Sequence, residues 1–331
     1  MSYESQNLKQ TYQYKKVLVT GGTGLIGRQV VPLLCDWEAD VTIVSLDDLE
    51  VDKRARHLYC DLRYYNDCLR VTKGYDFVFH LAGIKANPNI TNKKPATMSI
   101  PALQVNTNVL EACKEHKIKK VLFTSSIGAY AQSDILMEVN AYHGEPMDFL
   151  PGHVKRLAEY QIQAYAKEFK LDWVVVRLSN TYGPGDNFDP DNGMFISALM
   201  AQIYRGDNPV KIWGNGTAIR DFTYSKDIAK GILQAMAYAS ETWPINLGSG
   251  KGYSVRDVVK TFKKYVDFKT VFDLDKPTGV PKRILDISKA RKFNFNPSTS
   301  LFQGLKETWD WFMRNPDEYK LRQNYFTKKG E

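Results

Sequence analysis

Only four cysteines occur in the 331 residues, Cys35, Cys60, Cys68 and Cys113, and they form neither a CxxC pair nor a Cys/His spacing. Their absence from such patterns argues against a metal centre and points to reduced thiols in a cytoplasmic protein. No apolar run is long enough to cross a bilayer, and Met1 to Tyr14 is polar without the apolar centre of a secretion signal. The expectation is a soluble chain with no membrane partner. Positive charge is in excess but not massed: the formal net charge is +8, and the basic clusters are as small as Lys117-Ile118-Lys119-Lys120. Such a surface suits an anionic ligand and argues against nucleic acid as a partner. Internal repeats, low-complexity tracts and an independent linker are lacking too. Two lobes sharing one interface, with the ligand between them, are expected.

What is present is a regular alternation of apolar runs and helical periodicities. It reads as strand 16–20, helix 24–36, strand 41–45, a strand near 57–60, helix 64–72, strand 76–80, helix 101–116, strand 120–125, helix 152–169 and strand 172–178. That order predicts a parallel sheet with helices on both faces. Beyond Asn180 the pattern loosens into loops, a helix at 194–205, a hairpin around Gly214-Asn215-Gly216, and helices at 226–239, 253–266 and 302–314. The fold class is therefore α/β, a Rossmann-type doubly wound parallel sheet with a smaller C-terminal substrate-binding lobe. Residues 1–180 are assigned to a dinucleotide-binding domain that includes helix 152–169. Residues 181–331 form mainly the second lobe, and the two are interleaved.

The strand Lys16-Val17-Leu18-Val19-Thr20 runs into Gly21-Gly22-Thr23-Gly24-Leu25-Ile26-Gly27 and then an apolar helix. Gly21 allows a tight turn, Gly24 lets the backbone approach a pyrophosphate, and Gly27 lets helix and strand pack closely. The candidate cofactor is NADP or NAD. Ser45 ends the second strand with Lys53 and Arg54 nearby, which tolerates a 2′-phosphate and tilts the reading to NADP, whereas Asp47 within reach of the ribose would restore NAD.

Six ordered motifs carry a resemblance that spans nearly the whole chain: the glycine turn, Asp61-Leu62, His80-Leu81-Ala82-Gly83, Phe123-Thr124-Ser125-Ser126, Arg177 to Pro184, and Arg220-Asp221-Phe222. Together they resemble the extended short-chain dehydrogenase/reductases that act on nucleotide sugars. The resemblance implies that Gly21, Thr23, Gly24, Leu25, Ile26, Gly27, Ser45, Asp61, Leu62, Leu81, Ala82, Gly83, Thr124 and Lys155 serve the cofactor, although Asp61 could equally cap its loop. It implies Ser126 and Lys155 as catalytic groups, with Ser126 on the sugar C4 oxygen or serving as a turn residue. Asn180 and Arg220 match contacts to a nucleotide diphosphate, Trp213 could border the base, Lys85 could face the sugar, and Lys282 and Arg283 could reach phosphate.

The resemblance also marks departures. The Tyr that usually precedes the catalytic Lys by four residues is Pro151 here, a residue comfortable in a first helical turn. Tyr142, Tyr160 and His153 are the nearest replacements. The acidic pair of the dehydratases is replaced by Ile127-Gly128, and Tyr182 to Pro190 looks like the GDP-fucose synthase branch, whose Cys and His positions hold Gly128 and Met194. The reading is an epimerase or 4-keto reductase acting at C4, with a GDP-sugar favoured, in polysaccharide precursor synthesis. The alternative is a cofactor- and nucleotide-sugar-binding protein without turnover. Helices 101–116 and 152–169 lie where members of this family pair, so a homodimer is expected.

Overall fold

Short runs of β-branched residues bounded by turns become seven parallel strands in the computed structural model, which describes residues 3–276 and 278–322. From one edge to the other the strands are Arg56–Tyr59, Asp40–Ser45, Lys16–Thr20, Phe77–His80, Lys120–Ser126, Val174–Leu178 and Ile245–Leu247. Alternate residues divide the core. Val17 and Val19 face one layer with Val30, Leu34, Ile43 and Phe79, while Leu18 faces the other with Val44, Val78, Val109 and Phe123. The strand order reverses between Lys16–Thr20 and Phe77–His80. Such a switch point opens a crevice beyond the carboxyl ends of the strands.

A smaller group of sheets lies beside that crevice. One has four strands in the order Tyr253–Ser254, Ile219–Arg220, Lys282–Leu285 and Ile135–Leu136, and two parallel pairs join Asn180–Tyr182 to Phe222–Tyr224 and Val210–Trp213 to Thr270–Asp273. Their core gathers Phe188, Met200, Phe222, Phe262 and Phe312.

Several elements differ from the sequence expectations. No hairpin forms at Gly214-Asn215-Gly216: Val210–Trp213 pairs with Thr270–Asp273 and Ile219–Arg220 pairs elsewhere. Both glycines do take positive φ, 70° and 77°. Turn residues fix a reversal, but burial of Val210 and Ile212 against the second lobe's core chooses the ladder partner. The helix expected from 101 begins at Pro95, with Pro101 inside it, and a short helix Pro88–Lys93 precedes it. Gly24 to Ile26 form a turn, so the fingerprint helix begins at Gly27. An unexpected N-terminal helix, Tyr3–Tyr12, docks through Tyr12, whose ring stacks on Trp37 and whose hydroxyl donates to Leu233 O at 2.6 Å.

Candidate functional site

The glycine turn is built for close approach. Gly21 has φ of 69°, and a Cβ there would stand 2.7 Å from Ala82 Cα across the switch point. A Cβ on Gly27 would lie 2.5 Å from Gly21 O. Thr20 extends this fit inward. His80 Nε2 lies 3.2 Å from Asn106 Oδ1, an acceptor, so that nitrogen carries the proton and Nδ1 receives the Thr20 hydroxyl at 2.8 Å. Thr20 Oγ1 in turn accepts from Ala82 N at 3.2 Å. Burial, then the charge of Lys155, pushes His80 down to about 3, so the relay stays neutral and holds Leu81 to Gly83 in place.

At the second strand the side chains sort differently from the NADP-leaning expectation. Ser45 Oγ is 2.7 Å from His57 Nε2, and Arg54 is paired with Asp52 and Asp36 rather than aimed at the crevice. Asp47, by contrast, accepts from Thr23 Oγ1 at 2.7 Å and so sits against the fingerprint. Asp61 accepts from Arg63 N and Nε at 3.0 Å, the loop-capping arrangement, and the Leu62 side chain is in the core.

Lys155 occupies the centre of the site. Its Nζ donates to Thr124 O at 2.7 Å, sits 4.7 Å over the Phe123 ring, and is 3.7 Å from where a Cβ on Gly83 would be. Burial pushes its ammonium down to about 8, partly opposed by Glu159. Ser126 ends the same strand as Thr124, and its Oγ accepts from Gly128 N at 3.1 Å, which leaves its own O–H to donate. Both readings of Ser126 are thus compatible: it is a turn residue with a free donor.

Opposite, the second lobe contributes positive charge. Asn180 Oδ1 and Arg283 Nε are buried with no hydrogen-bond partner. Arg220 is pushed down to about 10, by burial and then by Arg283 beside it. These groups fit a diphosphate. Of the other candidates, Lys282 pairs with Asp134 at 3.7 Å, Lys85 is exposed, and Trp213 is exposed with Lys276 over its ring at 5.8 Å.

None of the proposed substitutes for the missing phenol meets Lys155. Tyr142 OH accepts from Gln163 Nε2, its ring stacks on Tyr160 and meets Trp243 edge-on, and the Arg177 guanidinium lies 5.3 Å from its centre; burial also raises its pKa. Tyr160 is exposed, and His153 Nε2 is 2.9 Å from Glu145 on the surface. A residue the sequence reading passed over is Asp148, which flanks the helix Phe149–Phe169 and pairs with Arg283. Its signal was an acid just before a helical start, the place a carboxylate is favoured.

All four cysteines are buried free thiols, and among the described residues there is no metal-type cluster and no helix long and apolar enough to cross a membrane.

GDP-L-fucose synthase of Escherichia coli is 27% identical over 92% of this chain and 99% of its own length. A protein of Methanocaldococcus jannaschii described as a putative UDP-glucose 4-epimerase is 30% identical over 90% of this chain and 99% of its own. Among solved structures, UDP-glucose 4-epimerase of Thermotoga maritima, crystallised with UDP-glucose, superposes with a TM-score of 0.81 at 27% identity, covering 91% of this chain and 99% of that one. The sequence profile described as the NAD dependent epimerase/dehydratase family matches residues 17–248. With the glycine turn at the switch point and Lys155 beside it, the chain belongs to the NAD dependent epimerase/dehydratase family.

Proposed function

We propose that this enzyme is a nucleotide-sugar epimerase or 4-keto reductase that works at sugar C4, with Lys155 and Ser126 at the reacting carbon. The observation that carries the reading is the position of Lys155 Nζ, between Thr124 O and Gly83 and on the strand-end that also presents Ser126. A bound nicotinamide would supply the hydride acceptor or donor. Lys155 would hold its ribose, Ser126 would donate to the sugar oxygen, and Arg220, Arg283 and Asn180 would anchor the diphosphate. The likeness of Tyr182 to Pro190 to GDP-fucose synthases favours a GDP-sugar, for polysaccharide precursor synthesis. Incubating the protein with GDP- and UDP-sugars plus NAD or NADP, and separating the products, tests this. Conversion of no sugar under any combination would sink it and favour a binding protein instead.

NAD is the cofactor this reading selects. Asp47, Asp48 and Glu50 follow the second strand as an acidic run, and the bond of Asp47 to Thr23 of the glycine turn supports a role for Asp47 on the ribose diol. A 2′-phosphate would face that charge. Asp47→Ala is expected to lower NAD affinity about tenfold and narrow its advantage over NADP, read by fluorescence titration; an unchanged NAD/NADP ratio would remove Asp47 from the role.

Exposed Phe149, Leu157 and Tyr160 lie along one side of the helix Phe149–Phe169, which supports a homodimer through that face. Sedimentation at assay concentration reads it directly. The four unbridged thiols support a reducing compartment, the cytoplasm.

A further inference from the structure

Asp148 is the last residue before the helix Phe149–Phe169, with non-helical dihedrals of φ −103° and ψ 83°, and it precedes Pro151 by three residues and Lys155 by seven. Its side chain makes no capping bond to its own helix. It turns across the site instead. A Cβ on Gly128 would stand 2.9 Å from Asp148 Cγ, so the glycine two residues after Ser126 is what leaves room for this carboxylate. Both carboxylate oxygens accept from Arg283 Nη1, at 3.2 and 3.3 Å.

That ion pair joins the start of a helix in the large lobe to the strand Lys282–Leu285 in the small one. Arg283 alone pairs with this carboxylate, Arg220 lies close enough to feel both charges while its Nη1 donates to Ile219 O at 2.8 Å, and Arg283 Nε has no partner. A nucleoside diphosphate carries more charge than one carboxylate and suits a fork of guanidinium donors better. Its arrival would take Arg283 from Asp148. The carboxylate would then be free against Gly128, two residues after Ser126.

We propose that Asp148 is the proton-transferring carboxylate of this site, and that Arg283 holds it neutralised until a nucleoside diphosphate draws the guanidinium away. The inference rests on the nucleotide-sugar reading above. As the sugar carbon gives up its hydride to the nicotinamide acceptor, the electrons of its O–H bond become the second C–O bond and the proton passes to the Asp148 carboxylate. In the reducing direction Asp148 returns that proton. Ser126 donates to the same oxygen, and Lys155 stays on the cofactor side with Thr124 O. Coupling the two roles through one arginine would keep the base masked until substrate is anchored.

The test is Asp148→Asn, which matches the side chain in shape and leaves the backbone bonds of residue 148 to Gly128 O and Gly152 N intact. Turnover should fall by about 10²–10⁴-fold. Calorimetry with GDP and UDP, without cofactor, should show severalfold tighter binding, because Arg283 no longer has a competitor. Asp148→Glu should regain part of the turnover. Asp148→Asn turnover within threefold of the parent, or unchanged GDP and UDP affinity, overturns the proposal. A parent protein that converts no nucleotide sugar overturns the functional reading instead, and the calorimetry then decides by itself whether Asp148 and a diphosphate share Arg283.

Discussion

Lys155→Met is expected to lower turnover by about 10²–10⁴-fold while making the protein more resistant to urea at neutral pH. Both effects have one origin. Burial holds the Lys155 ammonium down to about 8, below the ordinary lysine value, so the fold carries the cost of a poorly solvated charge in order to present it to the site. The sign follows from proton counts. Below pH 8 the lysine is charged in both states and the folded state bears the full penalty. Between about 8 and the ordinary lysine value near 10.4 the unfolded chain binds more protons than the folded one, and stability rises with pH. Methionine removes the penalty, so its stabilising effect should be largest below pH 8 and shrink as the parent loses its proton. Urea midpoints for both proteins at pH 7 and pH 10 would show this. A turnover within tenfold of the parent would remove Lys155 from the chemistry, whatever its effect on stability.

Glu159→Leu should have the opposite consequence for the fold, a loss of about 3–5 kcal/mol out of a total of about 5–15 kcal/mol. Glu159 and Arg177 are both fully buried, at 0% exposure, and meet through two bonds of 3.0 and 2.7 Å. Ser125 also donates to Glu159, and the Arg177 guanidinium lies 4.2 Å from the centre of the Tyr130 ring. Arg177 Nη1 already lacks a partner, so removing the carboxylate leaves a charge in the core with nothing to neutralise it. The pair Glu159→Leu with Arg177→Met should recover most of the loss, since desolvation of both charges is then avoided. Urea unfolding of the two single variants and the double one measures the coupling. A single-variant loss below about 1 kcal/mol would show that water or another group reaches the arginine. Glu159 also sits one helical turn past Lys155 and favours its charged form, so its loss should lower the lysine further and tie the two sites together.

Residue patterns made the cofactor side of this protein readable in advance. Gly21 and Gly27 announce their role because a Cβ at either would collide with backbone, and the strands around them follow from alternating apolar runs with no competing signal. The helix that carries Lys155 was equally legible, since its apolar periodicity is long. The region beyond Asn180 was less so. Its strands have two to four residues, too few to carry a periodicity, and partners such as Ile135–Leu136 and Lys282–Leu285 lie far apart in sequence. The mistaken hairpin at Gly214 is the same failure: turn chemistry is local, whereas pairing is decided by which face is buried.

The sequence by itself determined the parallel sheet and the glycine turn, because each depends on local spacing and on backbone sterics. Only the tertiary structure decided that Tyr142 is engaged by Gln163, Tyr160 and Trp243, that Arg54 reaches Asp36, and that Asp148 fills the space left by Gly128 to meet Arg283. These are choices of partner among charged and aromatic side chains. Burial and distance set such choices, and residues such as Asp148 and Arg283, 135 positions apart, acquire both only when the lobes pack.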